Sequence, residues 1–364
     1  MLMQTKKKQL ALLTQIDSNP SEALKALDLV YMNDSELSIL RKKFKDDFIY
    51  THGEKKIQKK KDLERIKALV IPPAWEDVRI SHIENGHLQA TGRDAKLRKQ
   101  YRYHSLWNKI KNQTKFLKMG EFGVALPSIR ARVEKDMKQK QWHKEKVIAL
   151  IVKLMEETHI RIGNDYYAKN NKSYGLTTLR DKHVHVFKDK LRFEFVGKKG
   201  KEHKVTLKNK KLIKLVTQCE DIPGWELFQF YDESGNKHRI TSSMVNEYLH
   251  DITGLHFTAK YFRTWAASVV FLETLTHLDP PENGKQRKEN LLVGFDASAK
   301  ALGNTRNVCR KYYVHPVLVQ SYEQGKLLSQ VDKLKKSHGS TAHFTRTEHC
   351  FLKLAQSFTP TLEV

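Results

Sequence analysis

The spacing of apolar residues changes along the chain, and each change predicts a different kind of structure. Residues 1–40 have mostly helical spacing, with a break at the S-N-P sequence that ends at Pro20. After it come short β-type runs separated by glycine, proline and asparagine, namely F-I-Y-T-H-G, V-I-P-P-A-W, V-R-I-S-H-I and H-L-Q-A-T-G. The pattern therefore predicts a helical extension over 1–40 and a small β-rich domain over 41–104.

Helical spacing dominates the next part of the chain, 105–330. An apolar helix is predicted around Val147 and Ile151, and further helices are predicted at about 208–218, 241–252, 257–277 and 285–302. Residues 184–207 instead alternate and turn on glycine, which predicts a small antiparallel sheet with K-K-G-K in a hairpin turn. We expect an α+β protein whose larger, mainly helical domain carries this sheet. A polar tail, 331–364, gives no strong signal.

Net charge narrows the class of partner. The 364 residues include 66 Lys and Arg against 41 Asp and Glu, for a net charge of +25. Such an excess fits binding to nucleic acid, and the alternatives are an anionic membrane surface or an ordinary basic protein. At 39% hydrophobic residues, the chain can fold around real cores.

Cysteine usage and hydropathy bear on the compartment. Cys219, Cys309 and Cys350 lie far apart without a C-x-x-C pair, which fits a reducing compartment and argues against disulfides or a cysteine zinc site. The start of the chain lacks the apolar stretch of a signal peptide, and the most apolar segment, from Val147, is too short to span a bilayer. We expect a cytoplasmic protein, associated with the nucleoid through DNA and without membrane contact.

Several common catalytic motifs are missing. No G-x-x-x-x-G-K-[ST] phosphate loop occurs, and the 17 histidines include no H-E-x-x-H or other compact metal-ligand cluster. Paired carboxylates typical of two-metal nucleases are not apparent either. If this chain cuts nucleic acid, we expect it to do so without ATP, metal or another cofactor.

Cleavage of a phosphodiester without metal needs cations around the phosphate, a nucleophile and a proton donor. Arginine suits the first need and lysine on a turn suits the last. Tyrosine can attack if cations lower its pKa from about 10. The chain offers all of these groups: Arg161, Lys198, Arg263, Asn304, Tyr312 and Tyr313. Taken singly, each has a structural alternative, such as a buried salt bridge, a solvated turn or core packing.

Longer motifs carry a family resemblance over about residues 40–320. They are L-E-R-I-K-A-L-V-I-P-P-A-W-E-D-V, A-T-G-R-D-A-K-L-R-K-Q-Y-R-Y-H, R-I-G-N-D-Y-Y, S-Y-G-L-T-T-L-R, F-R-T-W and L-G-N-T-R-N-V-C-R-K-Y-Y-V-H-P. In this order they resemble the type IB DNA topoisomerases of the compact poxvirus-like and bacterial kind. The resemblance implies a β-rich N-terminal domain and a mainly α catalytic domain that close around duplex DNA as a C-shaped clamp.

The resemblance also implies a reaction. Enzymes of this family relax supercoiled DNA by breaking one strand through a 3′-phosphotyrosyl intermediate and rejoining it without ATP or metal. The family's nucleophile lies nine residues after the Asn or His of its L-G-[NH]-T motif, which is Tyr313 when counted from Asn304. Tyr312 is then expected to pack or to contact the DNA backbone.

Further roles carry over by the same motifs. Arg161 and Arg263 are expected to clamp the scissile phosphate, and Lys198 to protonate the leaving 5′-oxygen. Asn304 is expected to donate a hydrogen bond to a nonbridging oxygen. Matches to DNA-contacting positions of the family occur at Arg98, Gln100, Tyr101, Tyr103, Tyr167 and Thr178. For the stretch 98–103, a basic amphipathic strand end remains the alternative.

Three positions depart from the family pattern. Asn304 stands where viral and eukaryotic members carry His, which favours a bacterial source. Arg306 replaces a frequent proline. Leu97 replaces a frequent glycine and puts the local turn in doubt, because glycine tolerates positive φ.

Two other classes of protein remain open on the sequence. A tyrosine recombinase shares the Arg–Lys–Arg–Tyr chemistry but usually carries H-x-x-R, whereas Lys260 stands three residues before Arg263. An inactive duplex-DNA-binding protein is the second alternative. We expect a topoisomerase that works as a monomer on double-stranded DNA.

Overall fold

A computed structural model describes residues 13, 16, 19–220, 222, 224–337 and 339–360. Their contacts form two compact units. The first comprises the described residues up to Leu117 together with 359 and 360, and the second is Lys118–Phe358. Residues 1–12, 14, 15, 17 and 18 of the helical extension predicted over 1–40, and the last four residues of the tail, lie outside the described residues. The domain limits drawn from the sequence stay predictions.

The first unit is built on a six-stranded antiparallel sheet. The strand order is β3-β2-β1-β4-β5-β6. The strands are β1 Ile39–Phe44, β2 Asp47–His52, β3 Lys55–Lys56, β4 Glu76–Ile80, β5 Leu88–Arg93 and β6 Lys99–Tyr103. In the described residues of this unit the helices are α1 Pro20–Lys25, α2 Lys60–Ala68 and α3 Ser105–Leu117. Trp107 and Ile110 of α3 share a buried core with Leu24 of α1, so α3 packs with the sheet unit.

One predicted strand is wrong. The run V-I-P-P-A-W forms a loop between α2 and β4. Its two prolines have no N–H to give to a ladder. Instead, the guanidinium of Arg41 on β1 hydrogen-bonds to carbonyl groups of the loop, donating to Pro72 O at 3.1 Å and to Trp75 O at 2.5 Å. The loop is therefore anchored by a side chain rather than by strand pairing.

The second unit is mainly helical. Its helices are α4 Met119–Asp136, α5 Lys144–Thr158, α6 Asp165–Asn171, α7 Lys210–Glu220, α8 Ser242–Thr253, α9 Ala259–His277, α10 Gly284–Leu302, α11 Arg306–Tyr312, α12 Pro316–Glu323, α13 Leu327–Ser337 and α14 Arg346–Gln356. A three-stranded antiparallel sheet comprises β7 Val184–Val186, β8 Leu191–Val196 and β9 Glu202–Leu207, and β10 Gln229–Tyr231 pairs with β11 Lys237–Arg239. The α+β class, the four later helices and the hairpin carrying K-K-G-K are confirmed. No helix of the described residues is both long and apolar enough to cross a bilayer.

The segment that gave no strong sequence signal contains most of α13 and all of α14. Thr345 caps α14 by accepting a hydrogen bond from Glu348 N, and Glu348 reaches back to Thr345 N at 2.9 Å. The sequence did contain this signal, a threonine followed three residues later by a glutamate. Phe351 and Leu354 then bury one face of the helix in the second unit.

Leu97 adopts a strained backbone conformation with φ of 56°. Its side chain is 61% exposed, so packing compensates little for the left-handed geometry. Because that geometry costs a residue with a Cβ about 1–2 kcal/mol, Leu97→Gly is expected to raise the free energy of unfolding by about 1 kcal/mol. Urea denaturation checks this, with Leu97→Ala as the matched control that keeps the Cβ. Equal stability of both variants would show that the turn is not strained.

Candidate active site

Arg161 lies just after α5 ends. His159 closes that helix in a left-handed conformation, with φ of 54°. The returning chain is held by Leu176 N, which donates to Arg161 O at 2.9 Å. The guanidinium then points to a distant part of the chain, and its Nη2 donates to Asn304 Oδ1 at 2.7 Å. Arg161 and Asn304, 143 positions apart, are therefore direct neighbours.

Arg263 is among the most deeply buried charges of the described residues, with 6% of its surface exposed. It lies in the second turn of α9 and donates to His159 O and to Leu302 O, the latter at 2.9 Å. Its Nε is buried and has no acceptor among the described residues. Burial and the charge of Arg161 lower the pKa of Arg263 to about 10. The group still carries its charge at neutral pH.

Asn304 follows the C-terminus of α10. Gly303 ends that helix at φ of 59°, and Asn304 N donates to Ala299 O at 2.9 Å. Its amide oxygen is taken by Arg161, whereas Nδ2 is buried and meets no oxygen acceptor in the described part of the chain. Asn304 therefore places its amide beside Arg161, with the Cys309 thiol as the other polar group near it.

Tyr313 follows α11 and lies under Arg263. The guanidinium carbon of Arg263 is 5.4 Å from the centre of the Tyr313 ring. Burial by itself would raise the pKa of Tyr313, but Arg263, Arg161 and Lys198 outweigh it, and the pKa is lowered from its usual value. The neighbouring Tyr312 is 42% exposed. The electrostatic setting therefore distinguishes the two adjacent tyrosines.

Lys198 lies on the turn between β8 and β9. Gly197 N donates to Lys201 O at 2.7 Å and closes that turn. Partial burial of the ammonium group lowers the pKa of Lys198, and Arg161 adds to this effect, while Tyr313 opposes it. A lysine with a lowered pKa releases its proton more readily.

These five side chains surround a place suited to an anion. Two buried N–H donors, Arg263 Nε and Asn304 Nδ2, lack acceptors there among the described residues. A buried unpaired donor costs about 1–3 kcal/mol, which a bound oxyanion would recover. A cavity of about 340 Å³ opens beside Arg161, Lys198 and Arg263. The arrangement fits a phosphate whose oxygens meet arginine and amide donors and whose phosphorus faces a tyrosine.

The four predicted DNA-contact residues on the sheet lie at β6. Asp94 holds two of them, accepting from Arg98 Nε at 2.7 Å and from Gln100 Nε2 at 3.0 Å. Tyr101 and Tyr103 are partly exposed and stack on each other with ring centres 5.9 Å apart. Sequence reasoning missed Asp94, although it lies within the quoted G-R-D-A-K motif.

The two predicted contacts in the second unit differ in exposure. Tyr167 is exposed on α6, whose first turn is capped by Asn164 accepting from Tyr167 N at 3.3 Å. Thr178 is buried. Its hydroxyl accepts from Gly175 N and donates to Gly175 O, both at 3.0 Å. Tyr167 is therefore accessible to a ligand at the surface, whereas the Thr178 hydroxyl is hydrogen-bonded to the backbone of the same loop. Both DNA contacts stay predictions.

Two further residues support the site and escaped the sequence analysis. The carbonyl of His159 accepts from Arg263. Ser268 Oγ accepts from His315 N at 3.0 Å and lies 2.9 Å from Thr264 O and 3.3 Å from Tyr313 O, which share its single proton. Ser268 lies on α9 five residues after Arg263, so one helix supports both the arginine and the tyrosine. No sequence signal marks a backbone carbonyl as a partner.

The departure at Arg306 has a local explanation. Arg306 is the first residue of α11 and forms an ion pair with Asp296 of α10. A proline at this position would fix the helix start through its φ. The ion pair ties the two helices together instead.

Comparison with known proteins agrees with this geometry. Residues 104–338 match the family described as eukaryotic DNA topoisomerase I, catalytic core, and residues 47–94 match bacterial DNA topoisomerase IB, N-terminal domain. DNA topoisomerase 1B of Acanthamoeba polyphaga mimivirus is 33% identical over 78% of this chain and 87% of its own length. DNA topoisomerase I of monkeypox virus and DNA topoisomerase 1B of vaccinia virus are each 22% identical over 66% of this chain and 74% of their own lengths.

The fold and the matches define a DNA topoisomerase, an isomerase class of enzyme. The chain belongs to the type IB DNA topoisomerase family. Its N-terminal match is to the bacterial branch, as the sequence indicated, whereas the relatives named above are viral. The expected absence of a metal and of a cofactor stays a prediction.

Proposed function

We propose that this protein relaxes supercoiled double-stranded DNA as a monomer by cutting and rejoining one strand through Tyr313. In this proposal the phenol oxygen of Tyr313 attacks the phosphorus and loses its proton to water. A bond forms between tyrosine and the 3′-phosphate, and the bond from phosphorus to the 5′-oxygen breaks. Lys198 gives its proton to that oxygen. Rejoining reverses these steps, so the energy of the broken bond is kept.

The surroundings of Tyr313 carry the proposal. Three cations, Arg263, Arg161 and Lys198, outweigh burial and lower the pKa of its phenol. A tyrosine that only packs in a core would show the opposite shift, because burial disfavours the phenolate. The same cations, together with Asn304 Nδ2, suit the charge that builds up on the nonbridging oxygens during attack.

Plasmid relaxation in EDTA and without ATP tests the proposal. Negatively and positively supercoiled plasmids are both expected to relax, because a free strand can rotate in either direction. Quenching with detergent is expected to trap the protein attached to the 3′-phosphate end of the broken strand, with a free hydroxyl at the 5′ end. A requirement for Mg²⁺ or ATP, or protein trapped on the 5′ side, would contradict the mechanism. Exchange between two specific sites without relaxation would identify a recombinase.

Lys198 makes the cleavage rate depend on pH in a defined direction. Cleavage needs protonated Lys198, so its rate is expected to fall as pH rises through the lowered pKa of this lysine. Lys198→Ala is expected to slow single-turnover cleavage by about 10²–10⁴-fold and to remove this alkaline fall. A pH profile of cleavage on a short duplex measures both effects. An unchanged alkaline fall in the variant would exclude Lys198 as the acid.

A further inference from the structure

His203 on β9 lies between the turn that carries Lys198 and the turn that carries Asn304. A Cβ added to Gly197 would lie 2.6 Å from His203 Cδ2, and a Cβ added to Gly303 would lie 2.9 Å from His203 Cε1. Real Cβ atoms do not approach that closely. The imidazole therefore fills the space between two glycines, each of which directly precedes a proposed catalytic residue.

Two other contacts hold the same hairpin in place. His203 stacks on Phe195 of β8, with ring centres 5.2 Å apart and an angle of 13° between the rings. Lys201, on the hairpin, donates from Nζ to Gly303 O at 3.1 Å. The hairpin is thus fastened to the C-terminus of α10 by a ring and an ammonium group. Lys198 itself lies on the solvent-exposed turn of this hairpin.

The charge state of His203 suits a spacer better than a proton donor. Burial lowers the pKa of His203 to about 4, and Arg161, Lys201 and Arg263 add to the effect. At neutral pH the ring is therefore uncharged, and very few molecules carry a proton to donate. A neutral ring can pack against the hairpin without adding a further cation to a site already rich in them.

We propose that His203 is a positioning residue that docks the β8–β9 hairpin against the Gly303–Asn304 turn and so aims Lys198 at the leaving 5′-oxygen. This inference rests on the proposed function, because it gives Lys198 the role of the acid. A lysine on an exposed turn samples many rotamers, and an error of about 1 Å in its position can cost about a hundredfold in rate. His203 acts through the hairpin and does not contact the reacting atoms.

The test compares two leaving groups in single-turnover cleavage of a suicide duplex. One duplex carries an ordinary 5′-oxygen at the scissile bond, and the other carries a bridging 5′-sulfur. A thiol has a pKa near 8.5, so a thiolate leaves without help from an acid. His203→Ala is expected to cut the oxygen duplex about a hundredfold more slowly and the sulfur duplex at close to the wild-type rate. His277→Ala, at an exposed histidine, is the matched control and should cut both normally.

Lys198→Ala separates failure of this inference from failure of the proposed function. If the sulfur duplex restores the cleavage rate of Lys198→Ala but not that of His203→Ala, Lys198 is the acid and His203 does not position it. If the sulfur duplex fails to restore the cleavage rate of Lys198→Ala, the assignment of Lys198 as the acid is wrong. An unaltered rate of His203→Ala on the oxygen duplex would overturn the inference directly.

A double variant guards against simple misfolding. Gly197→Ala places a methyl group against the imidazole and is expected to slow cleavage of the oxygen duplex. In the His203→Ala background the same methyl group finds space, so the second substitution should cost little or restore part of the rate. Such non-additivity requires direct contact between the two positions. Additive losses would mean that His203 supports the fold in general and not this hairpin.

Discussion

Tyr313→Phe is expected to abolish plasmid relaxation and covalent trapping, while Tyr312→Phe keeps both. Removal of a nucleophile costs a catalytic site about 10⁴-fold or more in rate, because no other group can take over the bond. Tyr313 lies under the Arg263 guanidinium and has a lowered pKa, whereas Tyr312 is exposed on the last turn of α11. Relaxation assays and denaturing gels of trapped complexes measure the difference.

The two variants control each other because each removes one hydroxyl group from adjacent rings. Both are expected to fold and to bind duplex DNA with nearly wild-type affinity, since neither loses a charge. An inactive Tyr312→Phe beside an active Tyr313→Phe would transfer the nucleophile to the neighbouring residue. Loss of activity in both would indicate that Tyr312 also contributes, through packing or a DNA contact.

Glu348→Ala is expected to lower the free energy of unfolding by about 3 kcal/mol. Glu348 is only 4% exposed and accepts from both terminal nitrogens of Arg130, at 2.7 and 2.9 Å. It also accepts from Trp265 Nε1 at 2.9 Å. The substitution would leave the indole N–H without this acceptor and Arg130 with Glu156 as its remaining carboxylate. Thermal or urea denaturation measures the loss.

Activity is expected to fall with this stability, because Trp265 lies on α9 two residues after Arg263. Asp296→Asn is the matched control, since it breaks the solvent-exposed ion pair with Arg306 in the same unit and should change stability little. Equal stability of the Glu348 variant and wild type would show that α14 does not hold α9 in place.

The contribution of Glu348 also has a pH signature. Burial alone would raise its pKa, but hydrogen bonds from Arg130 and the charge of Arg130 outweigh it and lower the pKa below the usual 4.5. A group with a lowered pKa stabilises the fold fully above its unfolded value and loses this effect as pH falls through the folded value. The stability of wild type is therefore expected to fall as pH drops below about 4.5, and Glu348→Ala should flatten this dependence.

Local patterns predicted much of the fold. Apolar spacing located the helices after residue 208, and alternation with glycine turns located the hairpin that carries Lys198. These features depend on neighbours a few residues away, which a sequence displays directly. The loop at 70–75 was mistaken for a strand because its apolar residues resemble one, while the arginine that anchors it lies about 30 positions earlier.

The order and spacing of motifs in the sequence were sufficient to predict the family. Through that resemblance they also proposed the catalytic side chains and Tyr313 rather than Tyr312 as nucleophile, and these roles stay predictions. Only the tertiary structure showed that Arg161 bonds Asn304, that Arg263 lies over Tyr313, and that His203 fills the gap between two glycines. It also revealed α14 as a buried support behind α9. These contacts join residues tens to hundreds of positions apart, and their distances depend on how helices and hairpins pack, which no local pattern of residues encodes.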